Sequence, residues 1–133
     1  MYIGALVWTV FCCCAMGKCI LRRVPFTVWG ETVLFAVYVN SLIEMLRHSG
    51  YGCYVDSLFV GCVMYADDIL GVSASIHKLQ LMVDICCSEA AKLDMKFSAS
   101  KSQAIRIGKS HRTDICHITL NGCPICFLMN LSI

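Results

Sequence analysis

The sequence predicts an α+β domain: an antiparallel sheet with an acidic hairpin turn, packed against two helices. Three features carry that prediction. Two segments, 31–47 and 76–93, repeat apolar residues at spacings of three and four, the period of an amphipathic helix. Between them Leu58-Phe59-Val60-Gly61-Cys62-Val63-Met64 leads through Tyr65-Ala66-Asp67-Asp68 into Ile69-Leu70-Gly71-Val72, which reads as strand, tight turn, strand. After the second helix, short β-type runs flank Asn121-Gly122, a strong tight-turn signal. Helices would cover one face of such a sheet and leave the carboxylates on the other.

Along the chain, Pro25 and Gly30 punctuate an irregular stretch after an apolar N-terminal run. In 31–47 the apolar stripe is Phe35, Tyr38, Val39, Leu42, Met45 and Leu46, and Ser49-Gly50 is a plausible stop. Runs 53–55 and 58–64 read as strands around Asp56-Ser57. Ser73 or Ser75 is positioned to cap the next helix, whose stripe is Ile76, Leu79, Val83, Cys86, Ala90 and Leu93. Lys78, Asp84, Glu89 and Lys92 fall away from that stripe, so it is core packing rather than a cofactor site. Runs 103–107 and 115–120 read as the last strands.

At 133 residues the chain is one small domain. Apolar residues make up 58% and charged residues 15%, against roughly a quarter charged in an ordinary soluble domain. Such a surface is sticky, as expected of a piece of something larger. The net charge of +2 argues neither for nucleic acid nor for a membrane. Eleven cysteines, an odd count clustered at Cys12-Cys13-Cys14 and Cys86-Cys87, do not form a disulfide framework. They read as reduced, buried thiols of an intracellular protein, cytoplasmic or nuclear.

Stretch 1–21 carries Lys18 as its only charge and is followed by Arg22-Arg23. It approaches the length of a membrane span, about 20 residues. No positive residue precedes it, which argues against a secretory signal. A membrane anchor with its positive flank in the cytoplasm is the alternative it leaves open.

Two adjacent carboxylates repel each other unless a cation lies between them, and a hard, oxygen-seeking ion such as Mg²⁺ is the natural occupant. A solvated turn is the ordinary setting of an isolated Asp pair, because Asp bonds to its own backbone there. The flanking residues decide between the two. Tyr65-Ala66-Asp67-Asp68 resembles the metal-binding box of the reverse transcriptase palm. Val33-Leu34-Phe35-Ala36-Val37-Tyr38-Val39-Asn40-Ser41-Leu42-Ile43 resembles the helix after the template-contacting loop in reverse transcriptases of non-LTR (LINE-like) retrotransposons. Ser49-Gly50-Tyr51-Gly52-Cys53 and Ser73-Ala74-Ser75 continue the pattern around the acidic box. Leu79-Gln80-Leu81-Met82-Val83-Asp84-Ile85-Cys86 resembles the helix after it. Phe97-Ser98-Ala99-Ser100-Lys101-Ser102 resembles the next motif, usually Phe-Asn-x-x-Lys-Ser or Thr.

The resemblance covers 33–124 and implies a partial palm, with 1–32 an apolar Cys-rich segment outside it and 125–133 a short tail. It implies an RNA-directed DNA polymerase ancestry, with an RNA template and a DNA primer as partners of the intact family. Nucleotidyl transfer in that family uses two Mg²⁺ ions about 4 Å apart. By resemblance Asp67 is the principal metal ligand and Asp68 its helper, Tyr65 and Ala66 lie near the primer end, and Lys101 stands near the leaving pyrophosphate. Ser98 replaces the family's Asn, which puts the local loop geometry in doubt.

Two departures bear on activity. The family's other metal-binding carboxylate lies upstream on a separate strand, yet no Asp precedes Asp56 here and Glu31 sits in the wrong context. The fingers are also missing, so weak metal binding and little or no polymerase activity are expected. Just before Val33 the family carries Cys-Gly-Val-Arg-Gln-Gly-Gly-Val-Leu-Ser-Pro, whereas this chain has Val28-Trp29-Gly30-Glu31-Thr32. Codons GTG TGG GGT GAG ACA encode the latter; read one nucleotide later they give Cys-Gly-Val-Arg and the start of Gln. The hypothesis is that residues up to about Thr32 are an out-of-frame reading of a decayed element. A coding DNA whose shifted frame lacks the family motif would sink it.

The competing readings are a small Cys-rich membrane-anchored protein with no catalytic role and a non-catalytic nucleic-acid-binding fragment. Cys123-Pro124-Ile125-Cys126, near His111, Cys116 and His117, is a weak zinc signal. Lys101, Arg106, Lys109 and Arg112 form a modest basic stretch, either a solvated face or a phosphate contact. His48 and His77 read as surface or helix-end residues.

Overall fold

The structure is a computed structural model that describes residues 6–12, 28–65, 68–92, 95–107 and 117–131. It describes side chains within 36–65, 68–92, 95–107 and 117–126. The chain is α+β. In order it runs β1 (Leu6–Cys12), α1 (Val28–Ser49), β2 (Tyr54–Val55), β3 (Leu58–Phe59), β4 (Cys62–Tyr65), β5 (Asp68–Ser73) and α2 (Ile76–Lys92), followed by β6 (Gln103–Ile107), β7 (Thr119–Leu120), β8 (Cys123–Pro124) and β9 (Cys126–Leu131).

Helix α1 extends the expected 31–47 at both ends. It ends where Gly50 takes φ +71°, a left-handed stop that costs glycine nothing. Ser49 Oγ donates to the Leu46 carbonyl at 2.6 Å. Arg47 pairs with Glu44 at 3.0 Å, and His48 Nδ1 lies 2.7 Å from the Glu44 carbonyl oxygen, so the last turn is held by its own side chains. Helix α2 buries Leu79, Met82, Val83, Cys86 and Ala90. These are the predicted stripe with Met82 added, except that Ile76 is only half-buried against the core and Leu93 lies outside the described residues. The Ser73 hydroxyl does not serve as the expected cap. It is buried, donates to the Tyr51 carbonyl at 2.8 Å and accepts from the Ser75 amide at 3.4 Å.

Five strands form the main sheet in the order β4-β5-β1-β6-β9. All neighbours are antiparallel except β6 and β9, which run parallel. The core joins Leu42 and Leu46 of α1 and the α2 stripe to Ile69 of β5 and Ala104 of β6, with Met95, Ile118, Leu120 and Ile125 closing its far side. Side chains alternate along a strand, so Ile69 and Ala104 turned toward the helices leave Asp68 and Leu70, and Gln103 and Ile105, on the opposite face.

The run 58–64 divides where a single strand was expected. Leu58–Phe59 pairs back on Tyr54–Val55 through a turn in which Asp56 takes φ +53°, and only Cys62–Tyr65 joins the main sheet. Gly61 makes the division. A Cβ there would lie 2.6 Å from the Gly52 Cα and 2.6 Å from the Phe59 ring, so the two backbones cross where no side chain fits. Both outer segments also contribute to the sheet. Leu6–Cys12, within the N-terminal stretch placed outside the domain, is the central strand, and Cys126–Leu131, expected as tail, is β9. Of the apolar stretch 1–21, residues 6–12 are therefore extended and the rest lies outside the described residues. Among the described residues no helix is long and apolar enough to cross a membrane.

Candidate functional site

The acidic turn is built by register. Tyr65 pairs with Asp68, Met64 with Ile69, Val63 with Leu70 and Cys62 with Gly71, so Ala66 and Asp67 form a two-residue connection between β4 and β5. Ala66 and Asp67 themselves lie outside the described residues. Asp68 is exposed at the first position of β5, and Tyr65 is 82% exposed beside it. The pair therefore stands at one end of the sheet, on the face the helices leave open.

Lys101 belongs to the loop between α2 and β6. That loop is tightened by its own backbone: the Lys101 amide donates to the Ser98 carbonyl at 3.3 Å, and Ser102 Oγ donates to the same carbonyl at 2.7 Å. Ser98 has its hydroxyl 3.0 Å from that of Ser100. The sheet register relates this loop to the acidic turn. Val10 of β1 lies opposite Leu70 on one side and Gln103 on the other, and Cys12 lies opposite Asp68. The pairing of β1 with β6 begins at Gln103, and Lys101, two residues before it in a turn, lies at the same end of the sheet as Asp68. The strand between them, Leu-Val-Trp-Thr-Val-Phe-Cys, contains no carboxylate.

Hard cations take carboxylate oxygens. The donor set here gives Asp68 from the described residues, with Asp67 next to it in the chain. Among the described residues no group of three or more His, Cys, Asp or Glu side chains could hold a metal ion. Of the zinc candidates, His111 and Cys116 lie outside the described residues, and His117, Cys123 and Cys126 are exposed. Of the basic stretch, Lys101 is exposed and Arg106 half-buried, and Lys109 and Arg112 lie outside the described residues.

Burial raises four of the thiols, on β4, on α2 and just before β2. It pushes Cys62 up to about 11 and Cys86 further, and it raises Cys53 and Cys87 as well. These groups are protonated at neutral pH and behave as small apolar side chains, as the composition suggests. A groove of about 460 Å³ between the helices, lined by Met45, Tyr51, Leu81 and Ile85 with Asp84 and Glu89 at its rim, contains none of the candidate residues.

Two positioning residues were not found from sequence. Asn121 Nδ2 donates to the Phe97 carbonyl at 3.0 Å, tying the β7–β8 turn to the start of the Lys101 loop. Gln80 of α2 clamps the Thr119 backbone from both sides, accepting its amide at 2.8 Å and donating to its carbonyl at 2.9 Å. Asn-Gly signals the turn but not where its amide reaches, and Gln80 looks like any polar residue beside an apolar stripe.

Compared with known proteins, the chain matches no family model and no curated protein.

Proposed function

We propose that this chain is a catalytically incomplete fragment of a non-LTR retrotransposon reverse transcriptase palm, an RNA-directed DNA polymerase by ancestry. The observation that carries this reading is the register that sets Tyr65 opposite Asp68 in two antiparallel strands at one end of the sheet, with Asp67 adjoining in the chain. Support also comes from the two helices on a single face and from Lys101 lying at the same end of the sheet as Asp68. In this reading Asp67 and Asp68 hold Mg²⁺ weakly, because ligand number and charge set affinity for hard cations. The ion would supply charge stabilisation at the transferring phosphate. Tyr65 and Ala66 adjoin the primer end, and Lys101 offsets charge on the leaving group. The partners are an RNA template and a DNA primer, and the setting is intracellular.

What supports incompleteness is that the strand beside β5 sets Cys12 opposite Asp68 and has no carboxylate among residues 6–12. The test is a Mn²⁺ titration followed by electron paramagnetic resonance on the wild type, Asp67→Asn, Asp68→Asn and an Asp56→Asn control, with primer extension on an RNA–DNA hybrid run in parallel. Weak binding lost in the first two variants and kept in the control, with no extension in any of them, is the expected result. Binding that survives both substitutions, or tight binding with extension, would overturn it.

A further inference from the structure

Strand β4 ends the five-stranded sheet, and among the described residues it pairs only with β5. The register decides which of its backbone groups are spent. The Val72 amide donates to the Gly61 carbonyl at 2.8 Å, which makes Gly61–Val72 a hydrogen-bonded pair and sets the phase of the ladder. Alternation then turns Val63 and Tyr65 backbone groups inward to β5 and leaves those of Cys62 and Met64 directed outward. The outward edge is short, four residues, but Cys-Val-Met-Tyr has no Lys, no Pro and no charge, and the strand has no bulge against β5. On the open face its side chains are Val63, 53% exposed, and Tyr65, 82% exposed.

We infer that β4 is a self-association edge whose occupant is β4 of a second copy of this chain. Two antiparallel copies of one strand are self-complementary about a twofold axis. Centring the axis on Met64 makes Met64 bond to Met64 of the second copy through its outward amide and carbonyl. It also sets Val63 opposite Tyr65 of the second copy and Tyr65 opposite its Val63. An aromatic facing a β-branched residue is a favourable cross-strand pair. This contact uses the β4 edge of each copy on the other, so it closes at two and does not propagate.

Area sets the strength. Val63 and Tyr65 offer on the order of 250 Å² per copy, given the 150–250 Å² that an aromatic side chain buries. A stable interface buries about 800 Å² per partner. The dimer is therefore weak and concentration-dependent. The inference is independent of the polymerase ancestry.

The test is sedimentation velocity of the full chain over a concentration series, with Val63→Lys as the edge variant and Val37→Lys, on the exposed side of α1, as the control. The expected result is a reversible dimer that Val63→Lys weakens at least tenfold and Val37→Lys leaves unchanged. Hydrogen exchange on the wild type supports the same conclusion without a variant: the Met64 amide should slow as concentration rises. A chain that stays monomeric, a dimer that only Val37→Lys disrupts, assemblies that grow beyond two, or a Met64 amide indifferent to concentration would each overturn it.

Discussion

Replacing Asn121 with alanine removes two things at once, and the structure allows them to be separated. The first is the hydrogen bond from Nδ2 to the Phe97 carbonyl, 3.0 Å long, part-buried and spanning 24 residues of sequence. A bond of this kind contributes about 1 kcal/mol net. The second is backbone tolerance. Asn121 takes φ +52°, a left-handed conformation that Asn visits readily and that costs an alanine about 1 kcal/mol or more. Asn121→Ala should therefore lose about 2 kcal/mol, a substantial part of the 5–15 kcal/mol that holds an ordinary domain. Asn121→Gly relieves the backbone and loses only the bond, so about 1 kcal/mol. Asn121→Asp keeps the backbone tolerance but sets a carboxylate against a carbonyl, and should cost more than glycine. Urea denaturation at equal slopes reads the differences as shifts of the midpoint. If alanine and glycine destabilise equally, the left-handed backbone is not what Asn121 supplies. If glycine is neutral, the tie to the Lys101 loop contributes nothing.

Gly61→Ala should destabilise by roughly 1–3 kcal/mol, the cost of overpacking, because its Cβ would meet the Gly52 backbone; an unchanged urea midpoint would show that the crossing relaxes without penalty. The Cys62 thiol, raised from 9.0 to about 11 by burial, sets a pH dependence. Its contribution is fully present below pH 9 and is lost as pH rises from 9 to 11, since the unfolded chain gives up that proton first. Thermal melts of wild type and Cys62→Ala at pH 8, 9.5 and 11 should converge with rising pH, and parallel curves would refute the assignment. In the same protein at pH 8, a thiol reagent should modify exposed Cys123 and Cys126 before Cys62 and Cys86, as mass spectrometry of the labelled peptides would show.

Much of the local structure was legible because it depends on near neighbours. The stripe from Leu79 to Ala90 folds as α2, Gln103–Ile107 is a strand with its predicted ends, and Asn121-Gly122 turns with φ +52° and +80°. The acidic hairpin follows from two apolar runs separated by turn residues, and its register agrees with the order in which they were read. What local pattern could not supply was the split of 58–64 at Gly61, which exists because Gly52, distant by nine positions, passes against it. Nor could it supply the paired role of Gln80, whose partner Thr119 lies 39 residues away.

The sequence by itself determined the helices, the turns and the α+β class, since periodicity, glycine and residue type act over a few positions. Only the tertiary structure decided which strand lies between Asp68 and Lys101. Pairing of β1 with both β5 and β6 is a long-range choice among apolar segments that look alike in composition. A strand's place in a sheet is set by backbone hydrogen bonds and by the face it must bury, and neither is written in its own residues. That choice leaves Cys12 opposite Asp68 and strand β4 at the open edge.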